Sequence, residues 1–223
     1  MDMKMLPQGF QLLIIPKAPD EADYTAWAYS EDGKDRFTTI YPKLNLLDGT
    51  TDFSGDWKNS KYWATDGMYK GVIDKQRTEK WFPIYKVFTA PKDGVYTFSA
   101  YVKSTGNSAG VTRYVNKNGN LYWSDGAHKA FEDNFDWLRD SFTVSLKAND
   151  TIFVSYEITG STSDSILWTA GHKWEEGSTA TPYMPSESEV IKRDYPSYIG
   201  NYTGKIGDGQ STDPVKYNWK KID

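Results

Sequence analysis

The sequence contains no cysteine. Disulfide bonds, thiolate metal sites and cysteine nucleophiles are therefore excluded, while the redox compartment stays open because a cysteine-free chain survives in either environment. Only two histidines occur, His128 and His172, and neither belongs to an HExxH or similar metal-ligand spacing. Walker, dinucleotide-binding and nucleophile-elbow motifs are also missing. We therefore expect a protein that is not an enzyme.

Long apolar runs and charge clusters are also scarce. The apolar run in "FQLLIIP" is much shorter than a membrane span and no small-residue cleavage site follows it, so we expect neither membrane insertion nor a signal peptide. The formal net charge is −4, and no Lys/Arg cluster is longer than a pair. Because nucleic-acid binders present a basic patch to the phosphates, we do not expect a nucleic-acid partner.

Aromatic residues are abundant, at 16% of the chain, with nine Trp and sixteen Tyr. Trp and Tyr combine a flat apolar face with a polar group, which suits a surface that holds a partly hydrated ligand. We expect most of them to lie in the core and a minority to form a binding face.

Strand-like patterns dominate the middle of the chain. "VYTFSAYVKS" alternates, which puts Tyr96, Phe98, Ala100 and Val102 on one face of a strand. "DSFTVSL" and "TIFVSYEIT" alternate in the same way, and the "KAND" between them is typical of a hairpin turn. No stretch keeps a helical period over three turns. This pattern of short strands and frequent turns predicts an antiparallel sandwich or barrel.

The two ends differ from this middle part. Each carries an aromatic strand, a Gly/Asp turn and a second aromatic strand, as in a small hairpin, and "PSESEVIKR" has the polar composition of a linker. We therefore predict an N-terminal attachment segment at 1–43, a central domain at 44–184, and a linker with a C-terminal hairpin-like segment at 185–223.

Four segments in order carry a family resemblance: "NLLDGTTDFSGDW", "APKDGVYTFSAYVKS", "LKANDTIFVSYEI" and "AGHKWEEGSTATPYMPSESE". They resemble the jelly-roll carbohydrate-binding modules of xylanases. With the later "YPSYIGNYTG" and "DPVKYNW", the chain from about residue 45 to 223 resembles siphophage tail and baseplate accessory proteins.

The resemblance implies an all-β fold, an antiparallel jelly-roll β-sandwich with small flanking β segments. It also implies a non-catalytic module in the phage tail tip or baseplate that binds saccharides of the host cell wall. Other tail or baseplate proteins would be its protein partners, and oligomeric display would raise its avidity. A structural calcium ion is compatible with the resemblance, and no other cofactor is expected.

Two adjacent acids, Glu175 and Glu176, raise the question of a glycosidase. On a strand, neighbouring side chains point to opposite faces, whereas a glycosidase needs two carboxyl groups facing one bond, about 5 Å or about 6.5–9.5 Å apart. We interpret "WEEGSTATP" as the closing edge of the sandwich instead.

Strand alternation supplies the first candidate sugar contacts. If Phe142 and Val144 face the core, then Phe135, Trp137 and Arg139 face the other side. By the same reasoning Tyr101 points away from the core, and so do Tyr114 and Asn116 when Val111 and Val115 point inward. Aromatic rings stack on the C–H faces of sugars while amide and guanidinium groups hold the hydroxyls. An edge aromatic covered by a loop or a neighbouring domain is the alternative.

Loops supply the second set of candidates, Trp81 and Tyr85 in "EKWFPIY" and Trp123 in a long loop. Trp168 shares an alternation phase with Ile166 and Ala170, and we predict that it lies in the core. Two other functions stay open: a purely structural baseplate protein that binds only tail proteins, and an ancillary glycan-binding domain of a glycoside hydrolase.

Overall fold

The computed structural model describes residue 18 and residues 20–223. In this part of the chain there are thirteen strands and four short 3-10 helices. The strands are β1 (Glu21–Ala28), β2 (Ala64–Tyr69), β3 (Val72–Arg77), β4 (Phe88–Thr89), β5 (Gly94–Thr105), β6 (Val111–Lys117), β7 (Asn120–Leu121), β8 (Lys129–Ala130), β9 (Phe135–Leu146), β10 (Thr151–Ile158), β11 (Ile166–Glu176), β12 (Tyr198–Lys205) and β13 (Asn218–Lys221). The 3-10 helices are Ser60–Tyr62, Lys192–Asp194, Ile206–Asp208 and Pro214–Lys216. The predicted all-β class is confirmed.

Two antiparallel five-stranded sheets form the sandwich. The first, the β5 sheet, has the order β2-β3-β11-β5-β9. The second, the β6 sheet, has the order β4-β10-β6-β7, with β8 also paired to β6. The main core lies between them, and β5 contributes the alternate side chains that its pattern predicted: Tyr96, Phe98, Ala100 and Val102. The indole of Trp174 stacks on Phe88 at 5.1 Å between ring centroids.

Two irregularities in strand register reverse the predicted side-chain phase. In β11 the pairing with β5 shifts between Ala170 and Lys173, around Gly171 with φ +56°. An extra residue in a strand moves the following side chains to the opposite face. Leu167 before the shift and Trp174 after it therefore both lie in the core. The core prediction for Trp168 is wrong, because this half-buried side chain lies on the outer face.

The second irregularity lies in β9. Its pairing with β5 shifts between Val102 and Ser104, so that Ser104 faces Phe135. Phe135 consequently packs against the main core rather than pointing outward as predicted. Phe142 and Val144, beyond the shift, are buried as expected.

The flanking segments combine into a third sheet with the order β1-β12-β13. The chain enters the sandwich at Asn45 and leaves it at Ser186, which form a parallel bridge. Residues 1–17 and 19, which belong to the predicted attachment segment, lie outside the described residues. The flanking β segments are thus present, and the domain limits at 43 and 184 stay a prediction.

The chain after β11 crosses the outer face of the β5 sheet. There Tyr183 packs with Val72, Tyr101 and Ala170 in a second buried cluster. In the described part of the chain, no helix is long and apolar enough to cross a membrane.

Candidate functional site

Glu175 and Glu176 point to opposite faces, as predicted. Glu175 is fully buried and accepts hydrogen bonds from the Thr181 backbone N (2.8 Å) and Oγ1 (2.6 Å). Lys173 Nζ lies 3.2 Å from the same carboxylate, and burial lowers the pKa of this lysine to about 7. Glu176 instead pairs with Lys92 at the surface (3.0 Å). The two acids fix the strand end and cannot face one glycosidic bond together.

The eight predicted sugar contacts do not form one surface, which corrects the expectation of a single outer face. They divide between the outer sides of two different sheets. On the β5 sheet are Tyr101, Trp137 and Arg139, and on the side of the β6 sheet are Trp81, Tyr85, Tyr114, Asn116 and Trp123.

The three residues on the β5 sheet are engaged within the protein. Tyr101 points away from the main core, but it is only 5% exposed, because Tyr69 and Tyr183 cover it. The Arg139 guanidinium lies 4.6 Å from the centroid of the Tyr101 ring and donates to Ser99 Oγ (2.6 Å). Trp137 stacks on Tyr69 at 4.3 Å. Tyr101 is therefore covered by other side chains, and Trp137 and the Arg139 Nη2 have partners within the protein, whereas Arg139 Nε and Nη1 are buried without a hydrogen bond.

The outer side of the β6 sheet, which we call the β6 face, has a different character. Side chains of β10 and β6 alternate across its floor, where Phe153 faces Asn116 and Ser155 faces Tyr114. Glu157 follows two residues further along β10. In the described residues, no intramolecular hydrogen bond is made by the partly exposed side chains of Tyr85, Tyr114, Asn116 or Glu157, whereas the polar groups on the β5 sheet are mostly paired. Ser155 is only 2% exposed. The β6 face therefore keeps donors and acceptors available for a ligand.

Tyr85 lies flat on this floor. Its ring stacks on Phe153 at 3.8 Å with an interplanar angle of 17°. The backbone is fixed by a bridge to Lys58, whose N donates to the Tyr85 carbonyl (2.8 Å). One ring face is thus held against the sheet and the other faces outward.

A strained turn presents Trp81 at one side of the face. Trp81 and Phe82 both have left-handed backbones, with φ 64° and 54°, a conformation that is unfavourable for bulky residues and tends to occur at functional sites. Two hydrogen bonds fix this turn. Trp63 Nε1 donates to the Phe82 carbonyl (2.9 Å), and the buried Arg77 donates to the Lys80 carbonyl (3.0 Å). Trp81 is 70% exposed.

A second buried arginine holds the loop on the other side. Arg113 donates through Nε to the Ala127 carbonyl (2.8 Å) and through Nη2 to the Gly126 carbonyl. Its Nη1 forms an ion pair with the buried Asp140 at 2.5 Å. Because the guanidinium bridges the core and the loop, the loop has a defined position over the sheet.

This loop carries Trp123, which is 60% exposed. Its indole lies 4.6 Å from the imidazole of His128, and His128 in turn contacts Tyr114 edge-on at 5.4 Å. Trp123 therefore extends the aromatic surface that begins with Tyr114.

The β6 face thus has an aromatic and polar floor with one exposed tryptophan at each side. Aromatic faces stack on apolar faces of a ligand while a few polar groups fix its orientation. This arrangement suits an extended, hydroxyl-rich ligand better than a single small molecule.

A cleft of about 430 Å³ between the flanking segments and the sandwich was the other candidate. Most of its charged groups have partners: Arg36 and Lys70 both contact Asp35 (3.1 and 3.3 Å), and Glu189 accepts from the Gly49 N (3.0 Å). Within the described range, no group of three or more His, Asp or Glu side chains is arranged to hold a metal ion. Structural calcium stays a prediction.

Sequence reasoning missed Phe153, Ser155 and Glu157. The signal was present, because Ile152, Val154 and Tyr156 alternate as a core pattern in "TIFVSYEIT" and leave these three residues outward. The positions of Arg77 and Arg113 had no comparable signal, because the alternation pattern does not show which backbone carbonyls a buried guanidinium will reach.

Comparison with known proteins shows what the fold is similar to. No protein-family model matches the sequence, and no curated protein matches it. Among solved structures, the xylan-binding CBM22-1 domain of Paenibacillus barcinonensis Xyn10C aligns at 19% identity over 53% of this chain and 81% of that chain, with a TM-score of 0.38. A CBM61 module solved with β-1,4-galactotriose aligns at 12% identity over 60% and 100% of the two chains, with a TM-score of 0.46.

A phage structure aligns over more of the chain. The tripod from the baseplate of bacteriophage Tuc2009 matches at 24% identity over 92% of this chain and 80% of that chain, with a TM-score of 0.56. The predicted fold class, an antiparallel jelly-roll β-sandwich with flanking β segments, is confirmed. The chain therefore shares its fold with a component of a phage baseplate, as the motif resemblance predicted.

Proposed function

We propose that this protein is a non-catalytic carbohydrate-binding module of a phage tail or baseplate, and that it binds host cell-wall saccharides through the β6 face. The observation that carries the proposal is the pair of exposed tryptophans, Trp81 and Trp123, each on a loop fixed by a buried arginine beside a floor of unengaged polar side chains. Rigid aromatic side chains contribute contact area at low entropic cost, which suits sugar stacking.

The flanking sheet would attach the module to other tail or baseplate proteins. It is built from both ends of the described chain, and the segment after β1 contacts the sandwich through Tyr29 Oη and Met184 Sδ (3.2 Å) and through Asp35 and Lys70 (3.3 Å). The similarity in fold to the Tuc2009 baseplate tripod supports a place in the virion tail. Repeated copies on such a particle would convert weak single-site binding into strong adhesion without new contacts.

Trp81→Ala and Trp123→Ala are each expected to weaken glycan binding about 30-fold, because a central aromatic contact contributes roughly 2 kcal/mol. The thermal midpoint should hardly change, since truncation of an exposed side chain shifts stability by about 0.5 kcal/mol or less. The measurement is binding of the fluorescently labelled chain to Gram-positive cells, with purified wall polysaccharide as competitor.

Trp137→Ala is the matched control, because Trp137 stacks on Tyr69 on the β5 sheet and should leave binding unchanged. Loss of binding in this variant, with normal binding in the other two, would place the site on the β5 sheet. If the unmodified chain fails to bind even in a multivalent form, the purely structural baseplate role replaces the proposal.

A further inference from the structure

One acidic side chain on the β6 face has no partner. Glu157 is half-buried on β10, and within the residues that the structure covers its carboxylate accepts no hydrogen bond and forms no ion pair within 4.0 Å. Burial raises the pKa of this carboxyl group, and the nearby Arg77 charge partly opposes that effect. Other buried carboxylates behave differently: Asp140 contacts Arg113 and Lys129, and Glu175 accepts two bonds from Thr181.

The surroundings of Glu157 are aromatic and keep a negative charge. Trp81 lines the same crevice as Glu157, together with Arg77 and Glu79, and this crevice is too tight to admit a water molecule, so a ligand would meet Glu157 at the open β6 face. Arg77 donates to the carbonyls of Tyr62 (2.6 Å) and Lys80 (3.0 Å), and its Nη2 lies 3.6 Å from Glu79. The single cation is therefore shared with Glu79, and the three charged groups of the crevice sum to −1.

A half-buried carboxylate that shares a crevice with an exposed indole is suited to a cation. A charged donor forms a hydrogen bond to a carboxylate that is about twice as strong as that from a neutral hydroxyl. An ammonium group is also attracted to the face of a tryptophan, more than to other rings. A neutral sugar hydroxyl would satisfy Glu157 geometrically but would leave its charge uncompensated.

We infer that the β6 face selects a glycan that carries an ammonium group, such as a free amino sugar or an aminoacyl ester, with Glu157 as the counter-ion and Trp81 beside it. This inference rests on the proposed function and specifies the substrate class of the same site. It assigns the stacking of neutral rings to Tyr85, Tyr114 and Trp123 on the rest of the face.

The test uses one polysaccharide in two forms. Wall polysaccharide purified from the Gram-positive cells of the binding assay is compared with a portion whose free amines have been capped by acetic anhydride, which removes the positive charge and keeps the sugar chain. Affinities are measured for the full chain, for Glu157→Gln, and for the control Glu187→Gln, an exposed acid outside the crevice.

We expect capping to weaken binding by the unmodified chain and by Glu187→Gln about tenfold, a factor set by one charge-assisted contact. Glu157→Gln should bind the untreated polysaccharide about as weakly as the unmodified chain binds the capped one, and capping should then have no further effect. Higher salt should reduce the difference between the two polysaccharides, because it screens the ionic contact.

Each other outcome is decisive. If capping leaves the affinity of the unmodified chain unchanged, the ammonium inference is wrong and the proposed function stands. If capping weakens Glu157→Gln as much as the unmodified chain, the ammonium is bound elsewhere and the assignment to Glu157 fails. If the unmodified chain does not bind the untreated polysaccharide, the proposed function fails and the inference with it.

Discussion

Lowering the pH from 7 to 5 is expected to destabilise the folded protein by about 2 kcal/mol through His172 alone. This side chain is buried, and burial lowers its pKa from 6.5 to about 3. Its Nε2 lies 2.7 Å from Thr169 Oγ1, and its ring is surrounded by the aromatic rings of Trp57, Phe98 and Tyr156.

The sign follows from which state takes up the proton first. The unfolded chain binds it near pH 6.5, whereas the folded protein resists it until about pH 3. The stabilisation is therefore fully present above pH 6.5 and is lost progressively as the pH falls through this window. Urea unfolding at pH 7, 6 and 5 measures the loss, and most carboxylates stay ionised over that range.

His172→Gln isolates this contribution. The variant should be less stable than the unmodified protein at pH 7, but the difference should shrink by about 2 kcal/mol at pH 5 because the titrating group is gone. His128→Gln removes the other histidine, which is exposed, and should keep the original pH dependence. An unchanged slope in His172→Gln would show that the acid sensitivity comes from elsewhere.

Arg113→Met is expected to reduce the free energy of unfolding by about 3–5 kcal/mol, because it leaves a buried carboxylate without its main counter-ion. Asp140 would keep Lys129 (3.0 Å), whose side chain is half-exposed, and the Tyr156 hydroxyl (2.9 Å). The variant also removes the donors to the Gly126 and Ala127 carbonyls, so glycan binding through Trp123 should weaken as well. Chemical denaturation and the cell-binding assay measure the two effects separately.

The double variant Arg113→Met, Asp140→Leu separates charge from loop positioning. Replacing a buried ion pair with apolar side chains of similar volume is often close to neutral. We expect stability to recover by more than half, while glycan binding stays weak because the loop carbonyls remain without their donor. If stability does not recover, the unpaired charge of Asp140 was not the cause of the loss.

Alternation was a reliable guide wherever a strand kept a regular register. The inward set of β5 and the outward positions of Tyr114 and Asn116 follow directly from the period of two. The prediction for Phe135 was wrong because an irregular residue in β9 reverses the phase. The prediction for Trp168 was wrong because its set, shared with Ala170, faces the second buried cluster and not the main core. A one-residue bulge has almost no compositional signature, although Gly171 with its positive φ marks one of them.

The site was harder to predict than the fold. Alternation correctly turned Tyr101 and Trp137 away from the main core, but it could not show that Tyr69 and Tyr183 would cover that side. Which outer face stays open depends on the path of segments that are distant in sequence. The residue pattern of a single strand does not predict that path. The sequence predicted the aromatic residues of the β6 face, but it did not predict that Arg77 and Arg113 position their loops.

The parallel bridge between Asn45 and Ser186 places the two ends of the sandwich side by side. The amide of Asn45 ties this junction to the interior through bonds to the His172 carbonyl (2.8 Å) and the Trp174 N (3.0 Å). A segment whose ends meet in this way can replace a surface loop of an unrelated protein without stretching the host backbone. We therefore expect that the segment between Asn45 and Ser186 can be exchanged between carrier proteins while the β1-β12-β13 sheet stays intact.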